Sequence, residues 1–214
     1  MDVDNEANHI KWLLNDLIVD LASAVGMGRE VLKLHDGSPE STVKAMGRLR
    51  VCNHSIILSL FKLHEIRTKY GKFLNGLPRD VTANLYEDAA RIEQRNICRF
   101  RNKYAAHIID KDTDKPISLA TGEKLLESIT GHGNDRTREF YNWVCPEGWS
   151  AEQPSVATTV HHLREYCRGL PGGGFNDLRC AVLVSICQRR LQRSSVVLCL
   201  ICLTGKSASS SMNC

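Results

Sequence analysis

Apolar residues recur at helical spacing along most of this chain, and that periodicity constrains its fold more than any other feature. In the first such stretch the apolar positions follow one another at i, i+3, i+4 and i+7, namely Ile10, Leu13, Leu14, Leu17, Ile18, Leu21 and Val25. Side chains at these intervals share one side of an α-helix. No alternation of apolar and polar residues, as in a half-buried β-strand, stands out before residue 171. The pattern therefore predicts an all-α fold.

Glycines, prolines and capping residues divide the chain into predicted helices. Gly26 and Gly28 weaken the first helix, and a short helical segment follows before the turn at residues 36–39. Ser41 or Thr42 is expected to cap the second long helix. The predicted helices, with approximate bounds, span residues 10–25, 41–70, 79–109, 123–129, 135–144 and 154–168. Together they predict a helical bundle of about four long helices with shorter additions, and an irregular segment after the third helix.

A run of glycines separates two regions of different composition. Residues 1–170 form the predicted bundle domain, and the linker that follows contains Gly172, Gly173 and Gly174. Beyond Asp177 the chain has no acidic residue and is rich in Cys, Ser and Arg. We assign no fold and no chemistry to this tail, residues 171–214. Its basic residues account for the net charge of +4, so the near-neutral body gives no bulk indication of a nucleic-acid partner.

The sequence favours a cytoplasmic protein without a membrane segment. The N-terminus is acidic where a secretory signal would be basic. The apolar run at residues 196–203 is too short to span a bilayer. Nine cysteines are present, but five crowd the last 35 residues and four are scattered singly. This distribution indicates reduced thiols and not a disulfide framework.

The chemistry-bearing segment is residues 101–107, at the end of the third predicted helix. Arg101 offers a fork of donors to phosphate oxygens, Asn102 can orient a ligand, and His107 can exchange protons near neutral pH. On an ideal helix Arg101 and His107 lie about 120° apart. They flank an apolar stripe made of Tyr86, Ala90, Ile97, Phe100, Tyr104 and Ile108. A second copy packed on this stripe would bring Arg101 of one chain near His107 of the other, so the pattern predicts a homodimer.

A row of cations leads along the same predicted helix to the imidazole. The row has strict i, i+4 spacing and consists of Arg91, Arg95, Arg99, Lys103 and His107. One interpretation is that Arg95, Arg99 and Lys103 guide an RNA backbone toward the reactive end. The alternative is a solvated helix face, which Glu87 and Asp88 partly neutralise.

The segment from Arg101 to His107, with Asp110 after it, resembles the signature of the HEPN superfamily and its AbiU branch of abortive-infection proteins. The resemblance extends over roughly residues 1–170. It implies a metal-independent endoribonuclease that acts as a homodimer in toxin or antiphage defence, with Arg101, Asn102 and His107 as catalytic residues and no cofactor. Ile109 stands where some members carry a tyrosine that an antitoxin modifies. Regulation by that route is therefore not expected here.

The alternative to an enzyme is a non-catalytic helical module that dimerises or binds a nucleotide or partner protein. Metal binding is not expected, because the candidate ligands lack the spacing that metal sites require. Asp110, Asp112 and Asp114 alternate as in a calcium loop, but the later positions of such a loop are missing. Cys199 and Cys202 have no second ligand pair. The neighbouring His161 and His162 are interpreted as one packing and one surface residue.

Overall fold

The computed structural model describes residues 3–105, 109–110 and 114–170, and over these residues the protein is all-α, as predicted. The helices are α1 (Val3–Leu34), α2 (Pro39–Lys69), α3 (Gly71–Asn75), α4 (Arg79–Gln94), α5 (Ile97–Phe100), a π-helix (Arg101–Ala105), α6 (Leu119–Thr130), α7 (Gly133–Val144) and α8 (Val156–Gly169). Two short strands, β1 (Ile109–Asp110) and β2 (Lys115–Pro116), pair antiparallel. The predicted tail lies outside the described residues.

Helix α1 is the central element of the bundle. It packs most extensively along α2 and α8, while α4 contacts both of these helices. The predicted apolar side of α1 is buried at Ile10, Leu14, Leu17 and Leu21, which are at most 1% exposed. Each such side chain contributes about 1.5–3 kcal/mol of transfer free energy when it leaves water. Leu13 remains 42% exposed, so the buried side is narrower than the sequence pattern.

The first helix does not end near Val25 at its glycines, so its predicted end was wrong. Helix α1 runs through Gly26 and Gly28 to Leu34. A Cβ at Gly28 would lie 2.7 and 2.8 Å from Cζ and Cε2 of Tyr141, and closer still to the hydroxyl oxygen. Tyr141 is fully buried and its hydroxyl donates to Asn53 Oδ1 at 2.8 Å. Gly28 is therefore the point where α7 approaches α1, and packing offsets the cost of a helical glycine.

The second long helix begins earlier than predicted. Ser38, and not Ser41 or Thr42, is the capping residue, because its hydroxyl oxygen accepts from the Ser41 N–H at 3.2 Å. Pro39 occupies the first helical position, where its missing N–H costs nothing. The predicted end near residue 70 is confirmed.

The predicted third helix is broken. Its first part, α4, ends at Gln94, and Asn96 adopts a left-handed conformation with φ 59° and ψ 19°. The chain then continues as α5 and the π-helix, and Ile109 lies in β1. Asparagine tolerates this conformation better than most residues, which explains why a break occurs without glycine or proline. The spacing of apolar residues in the sequence does not predict where such a left-handed residue occurs.

The break also changes the role of the predicted apolar stripe. Ile97 and Phe100 are fully buried within the single chain, whereas Ala90 is exposed. Ile97 and Phe100 therefore belong to the protomer's own core and offer no seam for a second copy, while Ile108 lies outside the described residues. The predicted packing of a second copy on these two residues was wrong, and the homodimer itself stays a prediction.

The structure also bears on the predictions about membrane segments and cysteines. Among the described residues, no helix combines the length and the apolar character that crossing a membrane requires. Cys52, Cys98 and Cys167 are free thiols, and of these only Cys98 is not buried, while Cys145 is buried as well. The other five cysteines lie outside the described residues.

Candidate functional site

Arg101 is the first residue of the π-helix and lies against α2. Its guanidinium carbon is 4.5 Å from the centroid of the Phe61 ring, and its Nη1 donates to Asn102 Oδ1 at 3.0 Å. The side chain is partly exposed, and within the described part of the chain it has no carboxylate partner. Stacking uses the face of the guanidinium and leaves most of its in-plane N–H groups available to a ligand.

Tyr104 fixes the π-helix from three sides. Its ring packs against Phe100 of α5 and His54 of α2, with centroid separations of 5.3 and 6.0 Å. Arg50 Nη2 donates to its hydroxyl oxygen at 2.7 Å. On the third side lies Gly122 of α6, where a Cβ would be 2.7 Å from the hydroxyl oxygen and closer to the ring carbons. A π-helical turn is uncommon and is frequent at functional sites, and this one is held by tertiary contacts.

Of the other two predicted catalytic residues, the structure describes Asn102 but not His107. Asn102 is exposed on the π-helix and its side-chain oxygen faces the Arg101 guanidinium. His107 lies outside the described residues, as do its two neighbours. The predicted partnership of Arg101 and His107 therefore stays a prediction.

The predicted row of cations does not form, because the break at Asn96 separates α4 from the residues that follow. Arg95 points into the protein: its Nη1 donates to the Ile129 carbonyl at 2.7 Å, and its guanidinium lies 5.0 Å from the Trp143 ring. Burial, reinforced by the nearby Arg91, lowers the pKa of Arg95. Its contacts give Arg95 a structural role that ties α4 to α6 and α7, in place of the RNA contact predicted for it.

The remaining cations of the row have different environments. Arg91 forms an exposed ion pair with Glu87 at 2.6 Å. Arg99 is exposed on α5, and Lys103 is partly buried on the π-helix. Arg99 and Lys103 therefore lie on the same short stretch as Arg101, which is the part of the row that keeps a common location.

Sequence reasoning missed an imidazole, His64, that contacts the same aromatic ring as Arg101. His64 of α2 stacks on Phe61 with a centroid separation of 6.3 Å and an interplanar angle of 26°. Its Nε2 lies 2.8 Å from a carboxylate oxygen of Glu93, at the end of α4. Phe61 is thus the common neighbour of Arg101 and His64. No spacing in the sequence relates residue 64 to residue 101, since tertiary packing alone gives them this common neighbour.

His54 is also near the π-helix, but its environment is that of a core residue. Its ring meets Phe100 edge-on at 5.1 Å, and its Nε2 is buried without a hydrogen-bond partner among the described residues. Burial, and then the charge of Arg50, lower the pKa of His54. The imidazole is therefore neutral at pH 7 and serves packing.

The distant histidine pair behaves as predicted. His161 lies edge-on to Trp149 at 5.4 Å, and its Nδ1 is 3.2 Å from an Arg164 nitrogen. Burial and Arg164 lower the pKa of His161. His162 is exposed. The prediction of one packing and one surface residue is confirmed.

The candidate site around Arg101 consists of charged and hydrogen-bonding side chains. In the described ranges no cluster of three or more His, Cys, Asp or Glu side chains has the arrangement of a metal site. Cys98 of α5 is the nearby thiol, and burial, with the charges of Glu93 and Glu65, raises its pKa. The thiol is therefore protonated at pH 7 and is a weak nucleophile.

Comparison with known proteins identifies the fold and no family. No protein-family model matches the chain, and no curated protein matches it. A solved structure is similar to it: the integron cassette protein Vpc_cass2 from the mobile metagenome of V. paracholerae, with a TM-score of 0.65 and 23% sequence identity. The similarity covers 79% of this chain and 99% of that chain. At this identity the likeness shows a shared helical fold alone.

Proposed function

We propose that this protein is a metal-independent endoribonuclease of HEPN type that acts in the cytoplasm in toxin or antiphage defence. One observation carries the proposal: the Arg101 guanidinium lies on a π-helical turn at the surface, without a carboxylate partner in the described residues. An arginine whose charge is not neutralised by a neighbour is suited to binding a phosphate. It also belongs to the segment that resembles the HEPN signature.

The proposed reaction uses the nucleophile that RNA itself supplies. The 2′-hydroxyl attacks the adjacent phosphorus, a 2′,3′-cyclic phosphate forms, and the 5′-oxygen leaves. Arg101 stabilises the negative charge that builds on the non-bridging oxygens. Asn102, which already contacts that guanidinium, orients the phosphate. His107 exchanges protons with the reacting oxygens.

Two of the three cations that the sequence assigned to RNA binding remain candidates for that role. Arg99 and Lys103 remain in the proposed binding set, because they flank Arg101 on the same stretch of chain. Arg95 is removed from that set, since Ile129, Phe140 and Trp143 occupy its guanidinium. The proposed RNA contact is therefore shorter than the four-cation row that the sequence indicated.

We also propose that the protein is a homodimer, through a surface different from the predicted stripe. Five large apolar side chains are 57–74% exposed where α1 approaches the start of α2, namely Met27, Leu34, Val43, Met46 and Val51. Four of them line one open groove of about 700 Å³. Together they present on the order of 300 Å² of apolar surface, a size at which patches mark interaction sites. A regulatory protein or antitoxin is the competing occupant.

The proposed activity is tested with labelled RNA in EDTA. Wild-type protein is expected to cleave RNA to products with a cyclic phosphate and to leave a 2′-deoxy substrate intact. Arg101→Ala is expected to reduce cleavage at least about 100-fold. Arg91→Ala is the matched control, because it removes an exposed arginine that is paired with Glu87. Equal cleavage by the wild type and Arg101→Ala refutes the proposal.

The second candidate function is a non-catalytic module that works by association, and the same exposed apolar strip favours it. This alternative predicts no cleavage under any condition. It also predicts that Met46→Glu abolishes self-association, measured by light scattering after size exclusion, without lowering the melting temperature. Phe100 is not suitable for this test, because it is fully buried within the protomer and a polar replacement would unfold it.

A further inference from the structure

We infer that Arg50 of α2 is a second phosphate-binding residue, and that an RNA strand lies along the contact between α2 and the π-helix, from Arg101 to Arg50. The inference rests on the proposed ribonuclease function and deepens it, because it gives the substrate a path beyond the cleaved bond. All the residues that form this path belong to a single protomer. Arg50 lies outside the predicted motif, and the sequence pattern gave it no role.

One face of α2 forms one side of the path. Arg50, His54, Ile57 and Phe61 follow one another at intervals of four, three and four residues. Side chains at such intervals lie on the same side of a helix. At 1.5 Å per residue, the row extends about 16 Å along the α2 axis. This length suits a strand of a few nucleotides and exceeds what one phosphate group can span.

The π-helix lies along that row in the opposite direction. Its first residue, Arg101, has its guanidinium carbon 4.5 Å from the centroid of the Phe61 ring. Its fourth residue, Tyr104, packs on His54 with a centroid separation of 6.0 Å and accepts a hydrogen bond from Arg50 Nη2 at 2.7 Å. Arg101 and Arg50 are therefore the two ends of one continuous set of contacts between α2 and the π-helix.

Arg50 keeps donors available for a ligand. It is exposed, and its hydrogen bond to Tyr104 uses Nη2 alone. Its guanidinium carbon lies 5.8 Å from the centroid of that ring, and no carboxylate in the described part of the chain pairs with it. Nε and Nη1 are therefore available to a phosphate, while the tyrosine restricts the orientation of the side chain. A guanidinium that is oriented but not neutralised is suited to phosphate binding.

Arg67 provides a matched control on the same helix. Its guanidinium carbon lies 5.7 Å from the centroid of the Tyr86 ring of α4, so it also stacks on a tyrosine. On an ideal helix it is about 100° around the α2 axis from Arg50. It is also beyond Phe61, outside the row that contacts the π-helix. Arg67 therefore shares the charge and the aromatic contact of Arg50 but not its location.

The first measurement is RNA binding as a function of salt concentration. The probe is a fluorescent single-stranded RNA of about 12 nucleotides with 2′-O-methyl groups throughout, which lacks the nucleophile and stays intact. Arg50→Gln keeps a side-chain N–H donor but removes the charge. We expect it to weaken binding about two- to fivefold and to lower the slope of log K against log salt by about 0.7. Arg67→Gln should keep the wild-type slope.

Two further variants separate the charge of Arg50 from its support of the π-helix. Arg50→Lys should recover most of the slope, because the charge returns. Tyr104→Phe should keep the wild-type slope, because it removes the hydrogen bond and leaves the charge. Circular dichroism and melting temperatures of all variants check that the fold is retained.

The second measurement varies the length of the substrate in the cleavage assay with EDTA. Arg50 lies far from Arg101 along α2, so only a long RNA reaches both residues. Arg50→Gln should therefore raise KM for a long RNA, leave kcat unchanged, and cleave a dinucleotide as the wild type does. A residue that only supports the π-helix would affect both substrates equally.

The outcomes distinguish this inference from the proposed function. A wild-type salt slope in Arg50→Gln, while the wild type binds RNA, overturns the inference alone. An equal loss of cleavage on the dinucleotide and the long RNA also overturns it. RNA binding that depends on Arg50, without cleavage by the wild type, refutes the nuclease and supports the path. Absence of RNA binding by the wild type overturns both.

Discussion

Two glycines separated by one residue in α1 provide a stringent test of how the bundle packs. Gly26 has open space where a Cβ would be, whereas a Cβ at Gly28 would overlap the Tyr141 ring. Both residues have the same helical environment and the same propensity cost, about 0.5–1 kcal/mol relative to alanine. Replacing each by alanine therefore isolates the effect of the contact with α7.

The two substitutions are expected to change stability in opposite directions. Gly26→Ala should raise the free energy of unfolding by about 0.5–1 kcal/mol. Gly28→Ala gains the same propensity, but Tyr141 is fully buried and hydrogen-bonded to Asn53, so its ring cannot move away freely. Overpacking of this kind costs about 1–3 kcal/mol, and more when a buried hydrogen bond is also lost. The propensity gain is common to both variants, so the expected difference between them is the overpacking cost of about 1–3 kcal/mol.

Urea unfolding followed by circular dichroism measures this difference. The slope of free energy against urea concentration is compared first, so that a change in midpoint reports stability alone. Gly28→Ala combined with Tyr141→Phe should recover little, because Cζ and Cε2 remain within 2.8 Å of the added carbon. If Gly28→Ala is as stable as Gly26→Ala, α7 does not pack against α1 as described.

Three further outcomes are expected. Asn96→Ala should lower the free energy of unfolding by about 1 kcal/mol in urea titrations and Asn96→Gly should not, because the residue holds a positive φ. Burial raises the pKa of Asp88 above its ordinary value, so the folded state binds the proton more tightly than the unfolded state. The contribution of Asp88 to stability should therefore fall as the pH rises from about 4 toward neutrality. Melting curves of Asp88→Asn across that range should lack this decrease. Gly122→Ala should displace the Tyr104 ring and reduce RNA cleavage several-fold while the circular dichroism spectrum stays helical. Unchanged cleavage in that variant would show that the ring does not position Arg101.

Apolar periodicity predicted the bundle because long helices with one buried side leave a regular pattern. It worked for α7, whose buried residues Thr137, Phe140, Tyr141 and Val144 recur every three or four positions. It failed at Asn96, since a single left-handed residue changes the chain direction without changing hydrophobicity. It also failed at Gly28, where the reason for glycine is a ring more than 100 positions away in the sequence.

The candidate site was predictable only in part, for a related reason. Arg101 and Asn102 could be proposed from the sequence because their residue types and spacing carry chemistry in themselves. Arg95 was misassigned, since a cation on a helix gives no sign that Trp143 and a carbonyl oxygen will occupy it. His64 was missed because its relation to Arg101 exists only through Phe61. Long-range packing determines which charged groups remain free, and local sequence does not encode it.

The anchoring of the π-helix has a consequence for how chains with similar motifs are recognised. The turn that presents Arg101 depends on Arg50, Phe61 and Gly122, which belong to two other helices. Grafting residues 101–107 onto an unrelated bundle would transfer the sequence motif without the neighbouring residues that orient its guanidinium. Searches for chains with a similar motif should therefore require a small residue opposite the tyrosine and an aromatic ring beneath the arginine. A match to the short motif alone is insufficient.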